Sequence, residues 1–347
     1  MAVNTIYYRF KVVPEAQRDI WDTFMAQHPA GHLLQCWAWG DLKASAGWSP
    51  VRLALWHGDT IVAAAQVLRR GAPHLPLSLA HLAYIPKGPV LDWTQHEQCN
   101  LFLSSLNSYL RKHGALALRM ESGEEAGTPL AELIGKQLAH LHASPCHTVQ
   151  PLRTIVLDLA PDEQTLLAQM KEKWRYNVRL AMRKGVTIRV ASSPNDVRAW
   201  YALYQTTSER DQFGIHTLDY YLRVWALLVT TGKMRLLLAE ANGVLLAGIF
   251  VSLCAGQASY FYGASSNEQR QLMPNYLLQW EAIRWAKEQG ARLYDFWGIP
   301  DTDSEDEAMA GVYRFKRGWG GRVVQFIDGQ EVVYHPLLMR LARRWLG

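Results

Sequence analysis

The feature that most restricts what this chain can become is an internal repeat, and repeats are read before folds are. Residues 52–67 and 235–251 share one pattern: an apolar run, a glycine turn and a second apolar run. His57-Gly58-Asp59 and Asn242-Gly243 are the turn signals, because glycine and asparagine accept the positive φ that a tight hairpin needs. A third apolar run follows in each half, at 82–90 and 258–264, and then a helical stretch, at 97–113 and 275–289. Gly114 and Gly290 close those stretches as helix caps, and each is followed by one more strand, 116–120 and 292–296. The pattern predicts a duplicated strand–strand–strand–helix–strand unit. That is an α/β (α+β) chain of two similar domains, each a mostly antiparallel sheet feeding a helix and a parallel strand. The first domain is placed at 1–150, joined by the tail 330–347, and the second at 151–329.

The chain has 347 residues, enough for two domains, and its 49% hydrophobic and 19% charged content is that of packed globular protein rather than disorder. Cys36, Cys99, Cys146 and Cys254 lie far apart with no CxxC pair, and the histidines show no ligand spacing, so no metal and no cofactor is expected. The start of the chain lacks the apolar core of a signal peptide, and no run approaches the roughly 20 apolar residues that span a bilayer. A cytoplasmic, monomeric protein with free thiols is the expectation.

A formal net charge of +5 is mild, so placement matters more than size. Lys171, Lys173, Arg175, Arg179, Arg183, Lys184 and Arg189 crowd one segment, opposed only by Glu172. Residues 163–184 have helical spacing, with Leu166, Met170, Trp174, Val178 and Ala181 on one stripe and the cations mostly off it. Such a face tracks phosphate, or is simply solvated. Further groups are Arg314, Lys316, Arg317 and Arg322, and Arg340, Arg343 and Arg344; the segment from His335 reads as a short basic amphipathic helix. Residues 301–307 form an acidic surface loop. Beyond it, glycines 318, 320 and 321 permit tight turns and close approach to a ligand, holding Lys316 and Arg317 between Phe315 and Trp319. A cation between aromatic walls suits an anionic, partly aromatic ligand such as the end of a nucleotide; a plain surface hairpin reads the same way.

Several motifs, in order, resemble one family. They are Leu34-Gln-Cys-Trp-Ala-Trp-Gly-Asp-Leu-Lys43, Tyr84-Ile-Pro-Lys-Gly-Pro-Val90, Lys173-Trp-Arg-Tyr-Asn-Val-Arg179, Ser208-Glu-Arg-Asp-Gln-Phe213, Tyr262-Gly-Ala-Ser-Ser266, Asn275-Tyr-Leu-Leu-Gln-Trp280 and the stretch 294–321. With the duplication, they resemble the FemABX aminoacyltransferases, in the compact FemX-like branch that lacks a coiled-coil arm. The resemblance implies two tandem GNAT-like acyltransferase domains. It implies transfer of an amino acid from aminoacyl-tRNA to the stem-peptide amine of a peptidoglycan precursor, UDP-MurNAc-pentapeptide or lipid II. It also implies work in the cytoplasm, with peripheral contact at the inner face of the membrane as an option.

On that resemblance Lys316 is the candidate catalytic cation, for the oxyanion or the tRNA end. Glu121 is the local candidate acid, standing where relatives have an aspartate followed by proline. Lys43 and Arg210 match diphosphate-binding positions, and Trp39, Tyr262 and Asp92 are further substrate contacts. Lys173, Arg175, Arg179 and Arg317 are candidates for tRNA. Plainer readings stand beside these: an exposed helix lysine for Lys43, a pair with Glu209 or Asp211 for Arg210, core for Tyr262, and a turn residue for Asp92. Two rival functions are an acyl-CoA-dependent GNAT N-acyltransferase and a non-catalytic RNA- or membrane-binding protein. The first is disfavoured where residues 269–275 offer Met273-Pro274 and no glycine to a pyrophosphate, since proline removes an N–H.

Overall fold

A computed structural model describes residues 8–71, 75–302 and 310–340. The chain divides into two compact units, 1–152 with 325–347, and 153–324.

In the first unit the sheet runs in the order Tyr8–Val12, Ser49–His57, Thr60–Gly71, His81–Ile85, Ala115–Met120, Gly329–Val333, Ser144–Cys146, with Val90–Leu91 also paired to Thr60–Gly71. Neighbours are antiparallel except His81–Ile85 with Ala115–Met120, which are parallel. Helix His96–Lys112 makes that parallel crossover, and it buries Cys99, Phe102, Leu103, Leu106 and Leu110 in the same core as Leu53, Leu55, Ala63 and Ala65. The alternate strand residues Ala54 and Ala64 are buried too, and helix Trp37–Ala44 packs on the same two strands. A sheet covered on both faces needs apolar side chains at successive positions, which is why its strands read as continuous runs.

The second unit repeats the plan. Its sheet runs Arg322–Gln325, Arg153–Asp158, Leu293–Gly298, Gln257–Ser265, Val244–Cys254, Met234–Ala241, Thr187–Val190. Gln257–Ser265 and Leu293–Gly298 are its parallel pair, joined by helix Pro274–Glu288. That helix and Glu172–Arg183 share one core with the sheet, through Leu278, Ile283, Trp174 and Val178. Helix Pro194–Asp211 packs on strands Val244–Cys254 and Gln257–Ser265, where the Trp200 indole donates to the Gly248 carbonyl (3.0 Å).

Two local expectations are corrected. The predicted helix 163–184 is two, Glu163–Gln169 and Glu172–Arg183, broken at Met170, whose extended backbone (ψ 152°) ends the first. The glycine-closed turn expected around Lys316 is the end of a helix, Ala310–Arg317. No arm is inserted after Glu172–Arg183, and Thr187–Val190 follows directly. The acidic loop falls largely outside the described residues, as does most of the basic tail, of which 336–340 is helical. Among the described residues no helix is long and apolar enough to cross a membrane.

Candidate active site

The second unit opens where its parallel strands part. Gln257, Ala258 and Ser259 pair with Leu293, Tyr294 and Asp295, and pairing stops there. Beyond Asp295 the strand bulges, its register against Arg153–Asp158 shifting between Asp295 and Gly298. Trp297 in the bulge takes φ +62°, a left-handed conformation that a bulky residue adopts only under constraint. The bulge turns two carbonyls toward the buried Lys316, whose Nζ donates to Gly298 O (2.7 Å) and Trp297 O (3.3 Å). The same amine lies 5.6 Å from the Tyr260 ring centroid, so it spans both strands past the point of divergence. Burial pushes the Lys316 amine down to about 8, while Asp295 pulls it upward. Trp297 also lies against Phe261, with centroids 4.5 Å apart. The arrangement holds one buried lysine amine where the two strands diverge, beside the Tyr260 ring.

The flanking residues do not do what the spacing suggested. Phe315 and Trp319 are not walls around Lys316; they pack with Tyr276, and Trp319 stacks on Phe296. The three glycines admit the protein's own chain rather than a ligand. A Cβ on Gly318 would lie 2.1 Å from the Trp174 ring, one on Gly320 2.9 Å from Gln169, and one on Gly321 2.7 Å from Ile155. Trp174 is fixed there by its indole N–H on Phe315 O (3.0 Å), and Lys171 N donates to Gly318 O (2.9 Å). The glycines thus dock helix Ala310–Arg317 onto the sheet and put Lys316 in place.

The sequence reading missed Asp295, Thr154, Tyr260 and Trp297. The signal was present for Asp295: an acid between Tyr294 and Phe296, both fully buried, is out of place on a core strand unless it is hydrogen-bonded.

In the first unit the matching end is closed. All of His81–Ile85 pairs with Ala115–Met120, and the zip continues through Glu121 N to Ile85 O (3.0 Å) and Gly88 N to Glu121 O (2.8 Å). The buried Glu121 carboxylate accepts from Val149 N (2.6 Å), Gln150 N (3.0 Å) and the Tyr84 hydroxyl (2.8 Å). Those bonds tie a loop to a strand end, and the candidate acid is spent on structure.

Lys43 and Trp39 come together on helix Trp37–Ala44, with Nζ 4.8 Å from the indole centroid. A buried polar lattice holds that segment. Gln35 donates to Pro86 O (2.7 Å) and accepts from Gln66 N (2.7 Å); Gln66 donates to Leu34 O and Cys36 O and accepts from Arg52 (3.1 Å). Arg52 also donates to Trp37 O (2.8 Å) and Asp41 (2.7 Å), and lies 3.8 Å from the Trp37 ring centroid. Gly40 is required beside it, since a Cβ would sit 2.2 Å from Gln66 Oε1. Asp92 is the turn residue of the plainer reading. Its exposed carboxylate accepts from Thr94 N (3.0 Å) and Oγ1 (2.6 Å), bonds that hold it below the usual carboxylate range.

Arg210 pairs bidentately with Asp211 (2.8 and 2.9 Å) and also donates to Ser265 and Asn267, which fixes it at the far end of strand Gln257–Ser265. Tyr262, on that strand, sits among Tyr204, Tyr220, Tyr221 and Phe250, and burial raises its phenol well above the ordinary value. On helix Glu172–Arg183, Lys173, Tyr176, Arg179 and Arg183 are exposed. Arg175 leaves that row: its guanidinium donates to the carbonyls of Leu167, Ala168 and Met170, capping the preceding helix. Arg317 is exposed on helix Ala310–Arg317. Among the described residues no group of three His, Cys, Asp or Glu side chains forms a metal site.

Comparison with known proteins agrees with this architecture. The acetyltransferase (GNAT) domain family matches residues 168–343, and the FemAB family matches 17–123. The lipid II:glycine glycyltransferase of Staphylococcus aureus (strain USA300) is 24% identical over 392 aligned positions, covering 92% of each chain. The protein of the same name from Staphylococcus epidermidis (strain ATCC 12228 / FDA PCI 1200) is 24% identical, covering 93% of each. Among solved structures FemX superposes with a TM-score of 0.88 at 22% identity, over 96% of this chain and 99% of that one. A tandem GNAT protein from the clavulanic acid biosynthesis pathway gives 0.56 at 15% identity, over 94% and 98%.

Proposed function

The chain belongs to the acetyltransferase (GNAT) domain family, an acyltransferase of two GNAT-like folds in tandem, and on that premise we propose that it is a FemABX-type enzyme that transfers an amino acid from aminoacyl-tRNA to the stem-peptide amine of a peptidoglycan precursor, building the cross-bridge. The acceptor is UDP-MurNAc-pentapeptide or lipid II; relatives named for adding glycine to lipid II support this class of acceptor. The observation that carries the reading is the Lys316 amine at the open end of the second unit.

The chemistry fits a single fixed cation. The donor is an ester of a terminal ribose hydroxyl, already activated. The acceptor amine, with a pKa of about 10.4 in water, must shed a proton before it attacks. Glu121 is occupied, so that proton passes to a carboxylate of the acceptor itself or to water. Attack forms the C–N bond and an oxyanion, which the Lys316 ammonium stabilises. Collapse breaks the C–O bond and returns a proton to the ribose hydroxyl. Lys43, with Trp39 beside it, is the first unit's candidate for the precursor diphosphate, and Arg210 and Tyr262 are the second unit's candidate precursor contacts. Lys173, Arg179 and Arg317 meet the tRNA backbone. The second unit then carries the Lys316 cation at the donor end, in the cytoplasm at the inner face of the membrane.

An acyl-CoA donor is the reading that the GNAT match favours on its own. The helix after the third strand argues against it. It starts at Pro274, which has no N–H, after Met273 at φ +56°, so the amides that cradle a pyrophosphate are reduced. The test incubates purified protein with charged total tRNA and each precursor, and acetyl-CoA in parallel, and weighs the product. A gain of one aminoacyl mass is expected. No gain with either precursor overturns the reading.

A further inference from the structure

Asp295 does more than fill a strand. Its Oδ1 accepts from Trp297 N (2.8 Å), closing the turn that carries Trp297 into the left-handed region. The Thr154 hydroxyl lies against the same Oδ1 and 3.0 Å from Trp297 O. Gln257 Nε2 reaches Oδ2 (3.4 Å). Trp297 is therefore gripped on both sides, its N–H by Asp295 and its carbonyl by Lys316, while the one Thr154 hydroxyl hydrogen is offered to Asp295 or to that carbonyl. That grip holds a tryptophan at positive φ and keeps the Trp297 and Gly298 carbonyls out of the register of the strand.

We propose that Asp295 is a positioning residue for Lys316: with Thr154 it builds the bulge whose carbonyls hold the amine. Its charge also favours the protonated amine, as the groups facing it indicate. From strand Leu293–Gly298 comes Asp295, and from Gln257–Ser265 comes the neutral Tyr260. On Arg153–Asp158, Thr154 is neutral and Arg153 is turned to Pro300 O (2.9 Å). On the lysine's own helix, Arg314 and Arg317 are exposed. Asp295 is the counter-charge that offsets burial.

Asp295→Asn separates charge from geometry, because asparagine still offers an oxygen to Trp297 N–H. In the full-length protein, competitive acylation of lysines at graded pH, read by mass spectrometry, reports the Lys316 titration midpoint. The expected midpoint falls in the variant. The alkaline limb of the transfer rate moves down with it, and activity near pH 6 returns to within a few-fold of wild type. A purely structural role would lower the rate at every pH and leave midpoint and limb in place; that result overturns the proposal. Should Asp295→Asn not fold, Thr154→Val decides, expected to lower kcat several-fold with the donor KM within twofold; unchanged kcat overturns the clamp. The proposal rests on the reading of Lys316 as the transfer cation, but the acylation midpoint does not need it. If wild type transfers nothing, the functional reading falls while the midpoint still judges Asp295.

Discussion

One supersecondary unit occurs twice in this chain, and its copies differ most where the two parallel strands end. In the first unit they stay zipped through Met120 and on through Glu121. In the second they part after Ser259 and Asp295, and a lysine amine occupies the fork. The closed end uses a carboxylate to satisfy buried donors. The open end uses carbonyls, freed by a bulge, to hold a cation. A duplicated fold thus supplies one zipped end and one end that holds a cation from the same plan, and each difference can be tested.

The largest expected effect comes from emptying the fork. Lys316→Met should lower transfer by about 100-fold or more, the usual cost of an oxyanion donor, while soluble precursor still binds by calorimetry. Full-rate transfer by the variant would make the open end no more reactive than the closed one. Next is Glu121→Ala, which strands the Val149 and Gln150 amides and the Tyr84 hydroxyl. About 3 kcal/mol of stability should be lost, a fall in Tm of roughly 6–12 °C in thermal melts, with kcat per folded molecule kept. A fall in kcat at unchanged Tm would instead restore Glu121 as a catalytic acid and break the comparison.

A smaller effect is in pH. Transfer should decline as pH rises through about 8, where Lys316 loses its proton. The stability sign is opposite. Between about 8 and the ordinary lysine value of 10.5 the unfolded chain holds a proton that the folded chain has released. Stability contributed by this site therefore rises with pH across that window. The Tm difference between wild type and Lys316→Met should move in the wild type's favour over it. The smallest effect separates two arginines four apart on one helix. Arg179→Ala should weaken tRNA binding a few-fold and reduce its salt slope by about one. Arg175→Ala should instead lower Tm and leave the slope alone.

How much of this was legible follows from what kind of interaction decides each part. The hairpin turns, the capping glycines at 114 and 290 and the crossover helices follow from local turn chemistry and periodicity, and they stand within a residue or two of where the sequence puts them. Helix Ala310–Arg317 was hidden because its buried face includes a lysine, which breaks the amphipathic pattern, and because three glycines follow it. Those glycines answer to Trp174 and Ile155, partners remote in sequence. Arg175 reads as one more surface cation until the break at Met170 exposes carbonyls for it to cap. The lattice of Gln35, Gln66 and Arg52 is likewise non-local; only the polar residue inside the apolar run 61–68 hints at it.

Strand Gly329–Val333 lies between Ala115–Met120 and Ser144–Cys146 in the first sheet. That placement sets an order of assembly. A ribosome delivers residues 153–324 before it delivers this strand, so the unit that begins first is completed last. Until then Ala115–Met120 has one side of its backbone without its native neighbour, while the second unit already has its full sequence. Nascent chains arrested before residue 329 should therefore yield a protease-resistant second unit beside a first unit that is still cut.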